Sequence, residues 1–357
     1  MQSAHQYERN TAHCHKLGKP QAAAQANKPQ TQPKQHHASK MADDKQQPKM
    51  TSSFWFDEEV TADHSMRMRM TSLKYDKHSQ FQRVQVVETV PFGTTLVLDG
   101  KTQSAKHDEY VYHETLVHPA LLLHEAPKRV YIGGGGELAT ARECLKHKSV
   151  EEVVMVDLDG DVVDVCKKHL PEWNDGSTED PRLTVHIGDA RSYLVEGSDT
   201  FDVVVLDISD PIEAGPAVHL YTKEFYDLVR QKLNPGGVLV TQSGPAGLMN
   251  HTECFGAIHK TLAASFRTVV PYSVSIPSFG SDWGFNVATD RVDITSKSLR
   301  EKPPDATDAE IRGRIRGPLR HYDGGTHLCM FNLIKAVRDG VEAEDRVITE
   351  ANPVFMY

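Results

Sequence analysis

This sequence predicts an α/β fold: a Rossmann-like doubly wound, mostly parallel sheet preceded by a small N-terminal antiparallel β domain, with a disordered N-terminal tail. Three observations carry the prediction. An apolar strand, Val130-Tyr131-Ile132, runs into the glycines at 133–136 and on through Glu137 into a helix over Leu138–Leu145. Apolar strands and helical stretches then alternate from Lys128 to about Asp290, the pattern of a right-handed, mostly parallel sheet. Ahead of that region, between Leu73 and Gln103, short alternating runs are separated by turn residues, the signature of hairpins.

Residues 1 to about 50 are rich in Gln, His, Lys, Ala and Pro and nearly devoid of aliphatic and aromatic side chains. Such a stretch cannot bury enough apolar surface to offset its ordering entropy, so residues 1–50 read as a disordered tail. Its His13-Cys14-His15 and His36-His37 clusters could meet a metal, but with no rigid scaffold to fix ligands a solvated tail is the stronger reading. Order begins near Phe54-Trp55-Phe56. Residues 82–88 and 94–98 read as strands joined by Pro91-Phe92-Gly93 and closed by Asp99-Gly100, so residues 51–105 form the hairpin domain and residues 106–357 the larger one. Asp108–Leu123 reads as a helix with Tyr112, Leu116 and Pro119-Ala120 on one face and His113 beside it. Beyond it, strands are expected at 130–132, 153–156, 183–187, 203–206, 237–241, 268–275 and 284–289, and helices near 139–147, 161–169, 190–196, 222–232 and 251–264. The last two strands should form an antiparallel hairpin across Pro277-Ser278-Phe279-Gly280. Two further helices are expected at 309–320 and 328–339, then an extended apolar end from Arg346.

Composition narrows the function classes. With 39% hydrophobic and 25% charged residues the chain is of ordinary globular type. No apolar run reaches the ~18 residues that span a bilayer, and no secretory h-region opens the chain, so no membrane association is expected. A net charge of −9 disfavours nucleic acid and favours cationic ligands. Cys14, Cys144, Cys166, Cys254 and Cys329 include no CxxC pair, which points to a reducing, cytoplasmic setting with neither a disulfide frame nor a zinc site.

The chemistry gathers where ligands sit in open α/β sheets, beyond the C-terminal strand ends. Only glycine lets the backbone of the 133–136 loop turn so tightly and approach a ligand so closely. Asp157, at the end of the next strand and twenty positions past Glu137, is placed to hold a ribose diol. Glu137 sets the loop apart. A phosphate or free carboxylate would be favoured at a bare helix N-terminus, whereas a glutamate there repels an anion and attracts an amine. Asp189-Ala190, Asp207 with Asp210, and Gln242 end the following strands. Asp157 could cap a helix, Asp189 could form a turn, and Asp210-Pro211 is a common turn dipeptide. Five carboxylates on one rim nonetheless repel one another unless something cationic joins them.

These residues resemble a known family. Gly134-Gly135-Gly136-Glu137, Asp157-Leu158-Asp159, Gly188-Asp189-Ala190, Asp207-Ile208-Ser209-Asp210-Pro211, Tyr221-Thr222 and Thr241-Gln242 look like the motif series of the spermidine synthase (polyamine aminopropyltransferase) family. Phe81-Gln82 and Val97–Gln103 resemble its N-terminal domain, and the similarity spans residues 70 to 357. Within the family, Gly136-Glu137 with Ala141-Arg142-Glu143, the 242–247 and 276–284 stretches and the closing 350–357 look like its thermospermine synthase branch. The resemblance implies that decarboxylated S-adenosylmethionine lies on the loop at Gly134 and Gly136 as a co-substrate, with no cofactor and no metal. It implies Asp157 on the ribose, Asp189 and Ala190 at the adenine, Gln82 reaching in from the hairpin domain, and Glu137 facing the propylamine. Asp207 would be the catalytic residue, orienting the attacking amine and taking its proton. Tyr112, His113, Asp210, Tyr221 and Gln242 would line a polyamine channel, beneath a loop of about 209–221 that closes over the substrates. A homodimer or higher oligomer through the N-terminal domain is implied as well.

Two departures stand out. The family often has Gly where this chain has Leu138 and Ala139, which implies a differently shaped loop. A Tyr that spermidine synthases carry around Ser273–Ser275 is absent, which implies a longer acceptor such as spermidine. Two rival readings are a class I methyltransferase, which has no need of a cationic-tail pocket, and a non-catalytic homologue that binds polyamine or nucleoside as a regulator.

Overall fold

The computed structural model describes residues 54–356 apart from 214 and 216; the expected tail of residues 1–50 with its histidine clusters lies outside the described residues. The chain opens with β1 (Trp55–Thr61), β2 (His64–His78), β3 (Arg83–Thr89), β4 (Gly93–Leu98) and β5 (Lys101–Ala105), an antiparallel meander in sequence order. β3 and β4 form where alternation and the Pro91–Gly93 turn place them. The β1–β2 hairpin is not among the expected strands: the Met/Arg alternation of Met66–Met70 places Met68 inward and leaves most of β2 exposed, so its apolar signal is faint.

Helix α1 (Glu109–Leu123) links this sheet to the larger one. It is buried almost throughout, and Pro119 sits inside it. A proline there removes the N–H that would bond the carbonyl of Thr115, and the hydroxyl of Tyr272 donates to that carbonyl instead, at 3.2 Å.

The second sheet contains β6 (Arg129–Gly134), β7 (Glu152–Asp157), β8 (Leu183–Ile187), β9 (Phe201–Asp207), β10 (Leu233–Pro245), β11 (Thr268–Ile276) and β12 (Ser281–Thr289), in the order β11-β12-β10-β9-β6-β7-β8. β6 to β10 are parallel; β12 and β11 close one edge as an antiparallel hairpin. Between them run α2 (Ala139–Leu145), α3 (Gly160–His169), α4 (Pro171–Asn174), α5 (Ala190–Glu196), α6 (Lys223–Lys232) and α7 (Phe255–Ala263). Both faces are covered: Val130 and Ile132 join one apolar cluster and Tyr131 another, which is why these strands read as continuous apolar runs. The strand order reverses between β6 and β9, and the crevice at their C-terminal ends is where such sheets bind ligands.

After β12 come α8 (Ser296–Arg300), α9 (Pro304–Arg314), α10 (Gly324–Met330) and α11 (Lys335–Ala343). These correct the expected helices at 309–320 and 328–339. The first ends at Arg314, with Ile315 already extended (ψ 146°), and the amides of Arg320, His321 and Tyr322 all donate to the buried Glu114 carboxylate at 2.8 Å instead of continuing a helix. The second is interrupted at Asn332–Ile334, where Ile334 is extended (ψ 152°).

The loop after β6 is held by the neighbouring strand. Gly134 has φ +82°, and a Cβ there would lie 2.1 Å from the carbonyl oxygen of Asp207; Gly135 N–H donates to that same oxygen at 2.9 Å. Leu138 also adopts the left-handed region, φ +72°, with its side chain fully buried in the core. The departure from glycine therefore leaves a backbone that glycine would adopt freely, at the cost of local strain. Leu138→Gly and Leu138→Ala both delete the buried side chain, but only glycine relieves the backbone. The Gly variant is expected to be the more stable of the two by about 1 kcal/mol in urea unfolding; equal midpoints would show that the position carries no strain.

Candidate active site

One cleft of about 1020 Å³, counting its open mouth, lies between the N-terminal sheet and the C-terminal ends of the second. Gln82, Leu96, Leu98, Thr102 and Gln103 come from the first sheet; Gly134–Glu137, Asp157, Asp189, Ala190, Asp207, Asp210 and Gln242 come from the second. Tyr112, Phe279 and Trp283 add an aromatic wall. The five acids expected at the rim thus do share one cavity.

Their placement follows from strand ends. Asp207 is the last residue of β9, and its carboxylate is clamped from both sides: Tyr112 donates to Oδ1 at 2.7 Å and Thr140 to Oδ2 at 2.5 Å. Asp157 ends β7 and accepts the amide of Asp159 at 2.9 Å. Asp159 caps α3 and takes hydrogen bonds from Gln82 Nε2 (3.0 Å) and Ser79 Oγ (2.6 Å), so Gln82 is tied to the second sheet through it. Asp189 caps α5, accepting from the Ser192 amide, a bland structural role it fills while also facing the cleft. Glu137 accepts a hydrogen bond from Ser104 Oγ of β5.

Burial raises Glu137, Asp157 and Asp210. It pushes Glu137 up to about 7, with Asp207 and Glu109 adding to the effect and His113 and the Ser104 hydrogen bond opposing it. Asp157 rises to about 6 through burial, against hydrogen bonds from the amides of Asp159 and Gly136. Asp210 also rises to about 6 through burial, against a bond from Gln242 and the nearby Lys101.

Two expected channel residues stand elsewhere. His113 is fully buried and absent from the cleft wall; its Nδ1 is 2.7 Å from the Glu109 carbonyl oxygen and 3.0 Å from its carboxylate, and its ring packs edge-on to Tyr112. Its position beside Tyr112 on the helix turns it inward. Tyr221 is also fully buried. Its hydroxyl donates to the Ser209 carbonyl at 3.1 Å and accepts from Gln242 at 2.6 Å, so it braces the loop from behind. Gln242 reaches the wall, but its amide is committed to Ile208 O, Asp210 and Tyr221 on the nitrogen and to Gly244 N and Trp283 on the oxygen. Ser273–Ser275, the stretch lacking the family tyrosine, also stands off the cleft; Phe279 and Trp283 form that part of the wall. Thr140 and Ser104, the side-chain partners of Asp207 and Glu137, were not singled out from the sequence, and no sequence pattern marks a hydroxyl whose partner is so distant in the chain.

Among the described residues no group of three or more His, Cys, Asp or Glu is arranged to hold a metal, and no helix is long and apolar enough to cross a membrane. Cys144, Cys166 and Cys254 are buried free thiols and Cys329 is an exposed one.

Fold and cleft together define a doubly wound α/β small-molecule domain whose binding crevice is completed by an antiparallel sheet. Comparisons with known proteins refine this. Residues 109–298 match the Spermine/spermidine synthase domain and residues 54–106 the Spermidine synthase tetramerisation domain. A polyamine aminopropyltransferase of Aeropyrum pernix is 44% identical over 303 residues, covering 85% of this chain and 95% of that one. A thermospermine synthase of Arabidopsis thaliana is 38% identical over 305 residues, covering 85% and 87%. A crystal structure of spermidine synthase in complex with the transition state analogue AdoDATO superposes with a TM-score of 0.72 at 26% identity, covering 85% of this chain and 99% of that one. The chain belongs to the spermine/spermidine synthase family of polyamine aminopropyltransferases.

The raised pKa of Glu137 has a consequence for stability whose sign can be tested. Between the ordinary carboxylate value of 4.5 and about 7 the folded state binds more protons than the unfolded one. The contribution of Glu137 to the stability of the ligand-free protein is therefore full at low pH and lost as pH rises through that window. Glu137→Gln should match the wild type near pH 5 and exceed it at pH 8 by about 1–3 kcal/mol in urea unfolding. A gap of equal size at both pH values would show that Glu137 is not held neutral.

Proposed function

We propose that the chain transfers the aminopropyl group of decarboxylated S-adenosylmethionine to a primary amine of a polyamine, with spermidine the acceptor, thermospermine the product and 5′-methylthioadenosine the by-product. The observation that carries this reading is Asp207, fixed by Tyr112 and Thr140 in a cleft whose wall also holds Glu137 and Asp210.

The residues divide by chemistry. Asp157 faces the ribose hydroxyls, and Asp189 and Ala190 the adenine, beside the aliphatic Val156, Val162 and Leu220. Glu137 pairs with the propylamine and disfavours a donor that bears a free carboxylate. Asp210 attracts an ammonium of the acceptor. Asp207 holds the attacking nitrogen in line and removes its proton; the nitrogen bonds to the methylene next to sulfur, the carbon–sulfur bond breaks, and the electron pair remains on a neutral thioether. The sulfonium is already a good electrophile, so the reaction requires no cofactor or metal. Proton removal contributes about 10²–10⁴-fold, and alignment of nitrogen, methylene and sulfur supplies much of the rest. Glu137 and Asp210, both raised by burial, ionise more readily when a cation pairs with them.

Support for spermidine comes from the thermospermine synthase branch motifs and from the Arabidopsis relative; the archaeal relative carries the broader name. The match of residues 54–106 to a tetramerisation domain supports a homo-oligomer, and a cytoplasmic location accords with the buried free thiols.

Asp207→Asn should lower kcat by about 10²–10⁴-fold while leaving the affinity for decarboxylated S-adenosylmethionine within a few-fold by calorimetry; a fully active variant would remove Asp207 from the mechanism. Acceptor choice is decided by incubating the enzyme with the nucleoside and either putrescine or spermidine and separating the isomeric tetraamines. Thermospermine is expected, and reaction with putrescine alone would overturn the spermidine assignment.

A further inference from the structure

The hydrogen bond that reaches Glu137 comes from the N-terminal sheet. Ser104, on β5, is 1% exposed and forms no part of the cleft wall. Its hydroxyl touches two groups: Trp173 Nε1 at 2.9 Å and the Glu137 carboxylate. An indole N–H can only donate, so it takes up an acceptor lone pair of Ser104. The single hydroxyl hydrogen is then directed to the carboxylate. Trp173, on α4, is itself 1% exposed and packed among Val84, Leu96 and Ala139, so the serine rotor is locked by a side chain that cannot move away.

Resting on the function proposed above, we infer that Ser104, set in place by Trp173, is the positioning residue that aims and charges Glu137 and thereby fixes the preference for a donor with a cationic tail over one that also carries a free carboxylate. A hydrogen bond to the ionised carboxylate favours the charged form, and the charged form is the one that attracts an amine and repels a carboxylate. The surroundings of Glu137 make this donor consequential. Asp207 at the end of β9 and Glu109 on α1 oppose its ionisation, while His113 on α1 favours it; Tyr112 on α1 and Cys166 on α3 also lie within its field. Ser104 is an uncharged donor in direct contact, and it belongs to the N-terminal sheet. The sheet that matches a tetramerisation domain therefore also governs donor selection.

The test is calorimetry of decarboxylated S-adenosylmethionine and of S-adenosylmethionine on the full chain between pH 6 and 9. Ser104→Ala should bind the decarboxylated nucleoside about 10-fold more weakly at pH 7, narrow its preference over S-adenosylmethionine, and recover affinity toward pH 9, where Glu137 ionises without help. KM for the acceptor amine should stay unchanged. Ser104→Cys, similar in size with a weaker donor, should fall between the two and serves if the alanine variant does not fold; Ser104→Thr, which restores the hydroxyl, should restore the preference. A folded Ser104→Ala protein that keeps the wild-type preference, or a loss equal at every pH, would overturn the inference and leave the proposed function standing. If the wild type binds neither nucleoside, the proposed function itself fails and the inference with it.

Discussion

The contact between the end of β9 and the loop after β6 constrains everything around it. The Asp207 carbonyl accepts from Gly135 N–H at 2.9 Å, in a space where a side chain on Gly134 would collide. That contact brings the carboxylate of Asp207 beside the start of α2, where Thr140 can reach it, and opposite α1, where Tyr112 can. Glu137 follows two residues after Gly135, so its position is set by the same turn. Asp210 and its bond to Gln242 follow from the chain's departure from β9. If that contact were loosened, Asp207, Glu137 and Asp210 would all lose their mutual geometry.

Acids elsewhere in the chain are held differently from those of the cleft. Glu143, fully buried on α2, would be pushed up by burial, yet His118, Arg142 and Lys146 contact it and hold it well below the ordinary carboxylate range. Glu109 is likewise lowered against burial, by His113 and Arg142. At these two positions cations offset the burial of a structural carboxylate. At Glu137, Asp157 and Asp210 burial prevails. Desolvation without full compensation costs stability, and it is tolerated where binding energy can be drawn from relieving it.

Much of this was legible in the sequence, and what was missed has identifiable causes. The strands could be read because a sheet covered on both faces leaves continuous apolar runs, and the rim acids because strand ends are marked by where those runs stop. The glycines announced the loop, but Leu138 could not be read as left-handed, since nothing local demands that conformation of a leucine; the packing of its side chain does. His113 and Tyr221 were misplaced for a common reason. Family motifs mark residues near a site without saying whether a side chain faces the cavity or braces it, and here both brace it, through Glu109 and through Ser209 with Gln242. The helices beyond 300 were displaced because Glu114, two hundred residues earlier in the chain, captures three consecutive amides, an interaction with no local signature.

The sequence divides at about residue 105 into a hairpin segment and a nucleotide-type domain, a division that invites assigning assembly to one and chemistry to the other. The cleft does not respect it. Gln82 reaches Asp159, Leu96 and Leu98 form wall, and Ser104 holds Glu137. Ala139, where the family often has glycine, packs with Val84, Val86 and Leu96 of the N-terminal sheet. The glycine loop is therefore supported from β9 on one side and from the hairpin sheet on the other. A cleft whose wall is complete only where two sheets meet lets any rearrangement of the N-terminal sheet act directly on the carboxylates that line it.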